Sequence, residues 1–227
     1  MRKLESRGAT LPDRMAALLF PTKCICCGKV TDMCVYLCDE CRKRLSDCRT
    51  KRTKIVSYYG TKYAIHAPIN YRSAAPSAVK RLKFAFAPDN AKPMGEMCAQ
   101  KASKLRDTDF DIVAAVPMTP CAVRERGYNQ SLLIAKSAAA ALGVPLYAHA
   151  LKKIRENKRQ HTLTGLERRE NVRGVYAADK SVSGKHVLLI DDVTTTGATL
   201  CECAECLLSA GAMKVTCIAF CAAKYSN

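Results

Sequence analysis

The stretch Val187–Leu200, VLLIDDVTTTGATL, constrains the fold more than any other part of the chain. Four apolar residues, Val187 to Ile190, lie between Gly184 and the pair Asp191-Asp192, which is the punctuation of a short buried strand in a parallel sheet. Thr194-Thr195-Thr196-Gly197 follows, and Leu200, Cys201, Ala204, Leu207 and Leu208 then recur at helical spacing until Gly211. The unit is strand, acidic pair, hydroxyl- and glycine-containing turn, helix. Such a turn aims backbone N–H groups, threonine hydroxyls and the positive end of a helix dipole at one point, which suits a phosphate. The two carboxylates before it repel a phosphate and suit hydroxyl groups or a divalent metal instead. A phosphate and a diol one short turn apart describe a ribose 5-phosphate. The alternative is an ordinary strand-to-helix turn with polar residues at an N-cap. The acids favour the ligand site, because they stand at a strand's carboxyl end, where α/β sheets bind ligands.

The chain's 227 residues suffice for one sizeable core and a small appendage. No apolar run approaches membrane-spanning length, and Met15 to Phe20 is too short for the core of a secretory signal, so no membrane insertion and a cytoplasmic location are expected. Fourteen cysteines in a reducing compartment point to metal rather than to a disulfide framework. The excess of 37 Lys and Arg over 20 Asp and Glu, a net +17, attracts polyphosphates and nucleic acid without specifying either, and serves solubility equally well.

Residues 1–21 carry Leu11, Met15, Leu18 and Leu19 at helical intervals and read as a short amphipathic helix ended by Pro21. Two C-x-x-C pairs follow, Cys24/Cys27 and Cys38/Cys41, with Gly28 allowing the backbone to curl. Each pair sets two thiolates on a tight turn, and together they complete the tetrahedron of a structural Zn²⁺, leaving no open position for chemistry. Cys26 and Cys34 are spare, and either could replace one ligand. The basic run 42–54 is a solvated linker or a nucleic-acid contact. Two short strands are expected within 55–71, and a helix over 77–83 with Val79 and Leu82 inward and Lys80, Arg81 and Lys83 on its other side. Another helix is expected over 93–106, facing in through Met94, Met97, Cys98 and Leu105.

The sheet proper is expected to begin at Asp111–Pro117, where the proline ends ladder pairing. Arg124, Arg126 and Gly127 come next, before a helix bearing Leu132, Leu133, Ala135, Ala139 and Leu142. Two arginines at a helix start oppose the dipole, so a second anion site is expected there. Residues 150–174 form a long basic connection, read as a lid or a disordered segment. Its one histidine, His161, is assigned no role. Val215 to Phe220 reads as a last buried strand, and Cys201, Cys203 and Cys206 as small core residues.

The 187–200 stretch resembles the phosphoribosyl-pyrophosphate (PRPP) motif of type I phosphoribosyltransferases. Taken with the paired C-x-x-C, the strand IVAAVP, RGYNQ at 126–130, and Gln160 with Arg169-Glu170-Asn171, the chain is similar along nearly its whole length to the ComF family, phosphoribosyltransferase-like proteins associated with competence for DNA uptake. The resemblance implies an α/β fold, a parallel sheet with helices on both faces, plus the small N-terminal four-cysteine zinc knuckle. Residues 1–50 would hold helix and knuckle, and 51–227 the phosphoribosyltransferase-like domain, with a hood over about 55–110 and a core over about 111–227. Asp191 and Asp192 would hold the ribose hydroxyls and act as the catalytic pair. Thr194, Thr195, Thr196, Gly197, Ala198 and Thr199 would hold the 5-phosphate. Pro117, Met118, Arg124, Arg126, Arg168 and Arg169 would bind Mg²⁺-pyrophosphate. The implied activity is transfer of phosphoribose to an unidentified nitrogen acceptor. The alternative is a PRPP-pocket protein that contacts single-stranded DNA or the proteins of DNA uptake without turnover.

Overall fold

In a computed structural model, residues 21–85, 87–155 and 170–223 are described. The expected helix over 1–21 and most of the basic connection, including Arg168 and Arg169, lie outside the described residues.

The apolar runs form the centre of a six-stranded, mostly parallel sheet. Strand β4 (Ile112–Ala115) pairs in parallel with β7 (His186–Thr194), from Ile112 opposite Val187 to Ala115 opposite Ile190. On its other side β7 pairs in parallel with β8 (Lys214–Ala222), from His186 opposite Lys214 to Thr194 opposite Ala222. Alternation then decides which layer each residue joins. Leu188, Ile190, Ile218 and Phe220 belong to one core with the helices α2 (Ala75–Phe84), α3 (Ala91–Ala102) and α5 (Gln130–Leu142). Val187, Leu189, Cys217 and Ala219 belong to a second core with α6 (Ala198–Ser209). Helices therefore cover both faces, as expected. At the α3–α5 crossing the backbones approach closely: a Cβ on Gly95 would stand 2.4 Å from the Ile134 carbonyl oxygen.

The sheet does not begin at residue 111. An antiparallel hairpin of β1 (Thr53–Tyr58) and β2 (Thr61–His66) joins the same sheet, because β2 pairs in parallel with β8 at Ile65–Cys217 and His66–Ile218. The short β3 (Ile69–Asn70) continues along the same edge of β8. Three strands thus stand where two were expected, and two of them, β2 and β3, cover a β8 edge whose N–H and C=O groups would otherwise be unpaired. The expected lid is flanked by a two-stranded antiparallel ribbon, β5 (Leu151–Lys153) with β6 (Tyr176–Ala178), so β6 intervenes between that connection and β7. The four-cysteine segment is not set apart from this body. Cys24, Ile25, Cys26 and Cys41, with Leu45 of α1 (Asp39–Ser46), share one core with α2, α3 and α5. No helix of the described residues is long and apolar enough to cross a membrane.

A buried carboxylate ties the edge hairpin to α6. Glu202 accepts 2.7 Å from the Tyr58 hydroxyl and 2.6 Å from the Gly174 N–H. Tyr58→Phe leaves the carboxylate with one partner fewer, and hydrogen bonds to charged groups contribute about 1.5–3 kcal/mol. A destabilisation of about that size is expected in urea unfolding, with an unchanged denaturant slope.

Candidate active site and metal centre

The local geometry follows from where β4 stops. Val116 still donates to the Ile190 carbonyl at 3.0 Å, but Pro117 has no N–H with which to continue. Strand β7 runs on to Thr194, so its last residues have β8 on one flank and no β4 on the other. The acidic pair therefore lies inside the strand rather than after it. The Asp192 N–H, for which β4 supplies no carbonyl, donates to the Asp191 carboxylate at 2.8 Å.

The two acids take different partners, in keeping with the alternation of a strand. Asp191 accepts 2.8 Å from the hydroxyl of Ser131, in the first turn of α5. Asp192 pairs with Lys83 of α2, Nζ to Oδ2 being 2.9 Å. Burial, then the Asp192 charge, push the Asp191 carboxyl up to about 7. Burial works against the Lys83 charge, but the Asp192 carboxylate outweighs it and holds the ammonium pKa above its ordinary value. Lys83 is thus corrected from the solvent side of its helix to the acid pair. Arg81 is corrected too: its guanidinium lies against Gly28 of the knuckle, where a Cβ would meet Nη1 at 2.5 Å. The cause is shared, since neither partner is near in sequence and the helical pattern reports only the apolar face.

One turn beyond the acids, Thr194, Thr195, Thr196, Gly197, Ala198 and Thr199 line a small cleft of about 30 Å³ that Asp191 also borders. Gly197 has φ +89° and caps the start of α6, so the first-turn N–H groups of that helix open onto the loop. A Cβ at Gly197 would stand 2.7 Å from both Val56 of β1 and Ile65 of β2, so the hairpin closes one side of the turn. Lys54, also on β1, donates to the Thr195 carbonyl. Most telling is Thr194: its hydroxyl is buried and has no hydrogen-bond partner. An orphaned donor beside a helix N-terminus fits an anionic oxygen.

The expected second anion site needs correction in its argument. Arg124 and Arg126 lie in the last turn of a short helix, α4 (Pro120–Arg126), not at a helix start, so they complement the dipole. Gly127 ends that helix with φ +86°. Arg126 donates to Gln130 at 3.0 Å and lies over the Phe84 ring at 5.5 Å. It nevertheless faces the acids' neighbour, since Arg126, Lys83, Phe84 and Glu125 border a cavity of about 240 Å³. Pro117 and Met118 precede α4 on the loop that follows β4. Sequence reasoning missed the roles of Lys54, Lys83, Ser131 and Glu202; only the position of Ser131 directly after RGYNQ hinted at one of them.

At the N-terminal segment the sulfurs of Cys24, Cys27, Cys38 and Cys41 all lie within 4.8 Å of one another. Gly28, which was expected to let the backbone curl, has φ +79°. Burial acts to raise the Cys24 thiol, but N–H groups of Cys27, Cys38 and Cys26 outweigh it and lower it to about 6. Burial, with the neighbouring Cys24 and Cys27 sulfurs, raises Cys26 to about 12, and Cys26 and Cys34 stand outside the cluster. Four converging sulfurs, one already favouring thiolate, are a donor set compatible with a structural metal ion such as Zn²⁺.

Two outcomes follow. Elemental analysis is expected to find one zinc per chain, abolished by Cys41→Ser, with hydrogen exchange then accelerating at Ile25 and Leu45 of the shared core. The folded protein holds the Asp191 proton to higher pH than the unfolded chain, whose carboxyl titrates near about 4. Stability therefore falls as pH rises from about 4 through about 7, and Asp191→Asn is expected to flatten that decline in urea midpoints.

A family model described as the phosphoribosyl transferase domain matches residues 128–226. The chain is 30% identical to the DNA utilization protein YhgH of Salmonella typhi over 141 residues, which is 60% of this chain and 62% of that protein. The match thus spans less than two thirds of that relative's length. It is 26% identical to competence protein ComFC of Bacillus subtilis over 192 residues, 82% of this chain and 77% of that one. Among solved structures it is similar to the glutamine PRPP amidotransferase of B. subtilis at 23% identity and TM-score 0.42, covering 60% of this chain and 29% of the other. The chain thus carries both a four-cysteine cluster and a match to the phosphoribosyl transferase domain, and it is similar to proteins named competence protein F, ComFC and YhgH.

Proposed function

We propose that the chain binds PRPP and transfers its phosphoribose to a nitrogen acceptor. The observation that carries this reading is the unpartnered, buried Thr194 hydroxyl in a cleft bordered by Asp191 and by the first turn of α6. The 5-phosphate would take the Thr194 to Thr199 N–H and hydroxyl groups. The ribose hydroxyls would face Asp191 and Asp192 on the flank that β4 leaves open. The pyrophosphate would extend toward Lys83, Arg126 and the loop of Pro117 and Met118, with Arg124 at its rim. Arg168 and Arg169 remain assigned to it by resemblance alone.

Displacement at the ribose C1 needs no protein nucleophile. Pyrophosphate leaves as the nitrogen arrives, through a transition state with positive charge on the ring, so positioning and charge compensation supply the catalysis. Carboxylate oxygens suit a hard cation, and Mg²⁺ bound with PRPP would neutralise the departing pyrophosphate. Lys83 has a defined part in this scheme: released from Asp192 when a ribose hydroxyl replaces it, its ammonium is free to meet the pyrophosphate. The acceptor pocket falls to the β1–β2 hairpin and α2, the elements that already border loop and acids.

A second reading rests on the relatives' names. Proteins called DNA utilization and competence proteins, and the net charge of +17, support a PRPP-pocket protein that contacts single-stranded DNA or the DNA-uptake machinery without turnover. A cytoplasmic location fits either reading, since a set of fourteen cysteines with no disulfide among them suits a reducing compartment. Calorimetry with Mg²⁺-PRPP separates the possibilities when paired with pyrophosphate release across purine, pyrimidine and amine acceptors. The Asp191→Asn/Asp192→Asn protein is expected to lose about two to four decades of PRPP affinity, two charged hydrogen bonds being about 3–6 kcal/mol together. Unchanged affinity removes the PRPP assignment. Tight PRPP binding without pyrophosphate release from any acceptor selects the second reading.

A further inference from the structure

The basic linker before β1 does not run free in solvent. Residues 49–53 lie along the C-terminal end of α3 and enclose with it a cleft of about 570 Å³. Arg49 and Lys51 stand on the linker wall, Lys101 on the helix wall and Lys104 on the turn just after it. Pro68, Ile69, Met97 and Leu105 supply apolar surface between them. No carboxylate lines the cleft among the described residues, and no lining residue is shared with the threonine loop cleft. Lys101 is held in place by donating 3.4 Å to the Thr50 carbonyl. Burial, with a smaller push from the Lys104 charge, lowers the Lys101 pKa.

Three features narrow the occupant. Four cations without an acid match the three to four negative charges of a polyphosphate chain, and arginine and lysine both take phosphate oxygens. The apolar surface has no use for an inorganic polyphosphate but suits a ring laid against it. The volume falls within the few hundred to a thousand Å³ typical of small-ligand sites. No aromatic side chain lines the cleft, whereas strand-binding grooves hold successive bases on aromatic platforms.

We propose that this cleft binds a free nucleoside polyphosphate, its phosphates spanning Arg49 and Lys51 to Lys101 and Lys104 and its base resting on Met97 and Leu105. The position gives the ligand a lever on the loop. Thr53 lines the cleft and opens β1, the next residue is the Lys54 that donates to Thr195, and Val56 closes the side of Gly197. A ligand that ties the linker to α3 therefore orders the strand on which the threonine loop rests.

The test is a titration of the metal-loaded full chain with ATP, inorganic triphosphate and a twelve-nucleotide thymidine strand. ATP is expected to bind at least about tenfold more tightly than inorganic triphosphate, the base contact being roughly 1.4 kcal/mol or more. Lys101→Gln/Lys104→Gln is expected to weaken ATP by at least about tenfold, and Arg49→Gln/Lys51→Gln, on the exposed linker, to do the same with an unchanged melting temperature. Asp191→Asn/Asp192→Asn is expected to leave ATP affinity unchanged, which separates this site from the PRPP reading. The proposal is overturned if both lysine-arginine variants bind ATP as wild type does, if inorganic triphosphate binds equally well, or if the acid double variant abolishes ATP binding. It is also overturned if the thymidine strand binds more tightly than ATP through the same four cations.

Discussion

The site depends on one strand ending early. Because Pro117 has no N–H to offer, β4 stops pairing beside Ile190 while β7 continues along β8 to Thr194. That mismatch leaves one flank of β7 without a neighbour at the place where its sequence changes from apolar to acidic. The backbone there is satisfied from within, Asp191 accepting from the Asp192 N–H. A parallel sheet is ordinarily buried on both faces and closed along its length. Here the crevice at the carboxyl ends of the strands comes from two strands of unequal length, with Asp191 and Asp192 on the longer one and Thr194–Thr199 in the loop beyond.

What surrounds the crevice is set by contacts between distant segments. The β1–β2 hairpin presses Val56 and Ile65 against Gly197, sends Lys54 to Thr195, and is anchored to α6 through Tyr58 and the buried Glu202. A turn with this much support on one side has little freedom to rearrange, and a preorganised anion loop loses less entropy when it binds. From the other direction, Arg81 meets the knuckle at Gly28 while Lys83, two residues along the same helix, meets Asp192. The four-cysteine segment and the acids are thus joined by a single turn of α2. An ion held by all four sulfurs would have no position open for chemistry, and its part would be to fix the segment against which Arg81 lies.

Much of this was legible in advance where short-range chemistry decides it. The strand-acid-turn-helix unit, the tight backbone at Gly28, and the convergence of Cys24, Cys27, Cys38 and Cys41 all follow from residue types at close spacing. Helix faces were also readable: Val79, Leu82, Met94 and Cys98 are buried, as apolar periodicity requires. Arg124 and Arg126 were misjudged because a helix of seven residues carries too little pattern to distinguish its first turn from its last. Lys80, Arg81 and Lys83 looked alike for a related reason, since periodicity names the side a helix buries and is silent about what its charged residues reach.

Sequence alone determined the elements with local causes: where β4 must stop, where α6 must start, which four thiols can share an ion, and that an acidic pair precedes a threonine- and glycine-containing turn. Tertiary structure alone decided that the N-terminal strands complete the sheet along β8, that Lys83 and Ser131 divide the two acids between them, and that Tyr58 holds Glu202. The division has a physical reason. Turn conformations, caps and metal-ligand pairs are settled within a few residues by sterics and hydrogen bonding. Edge pairing and ion pairs join residues dozens to more than a hundred positions apart, and their partners are chosen only when the two cores have packed.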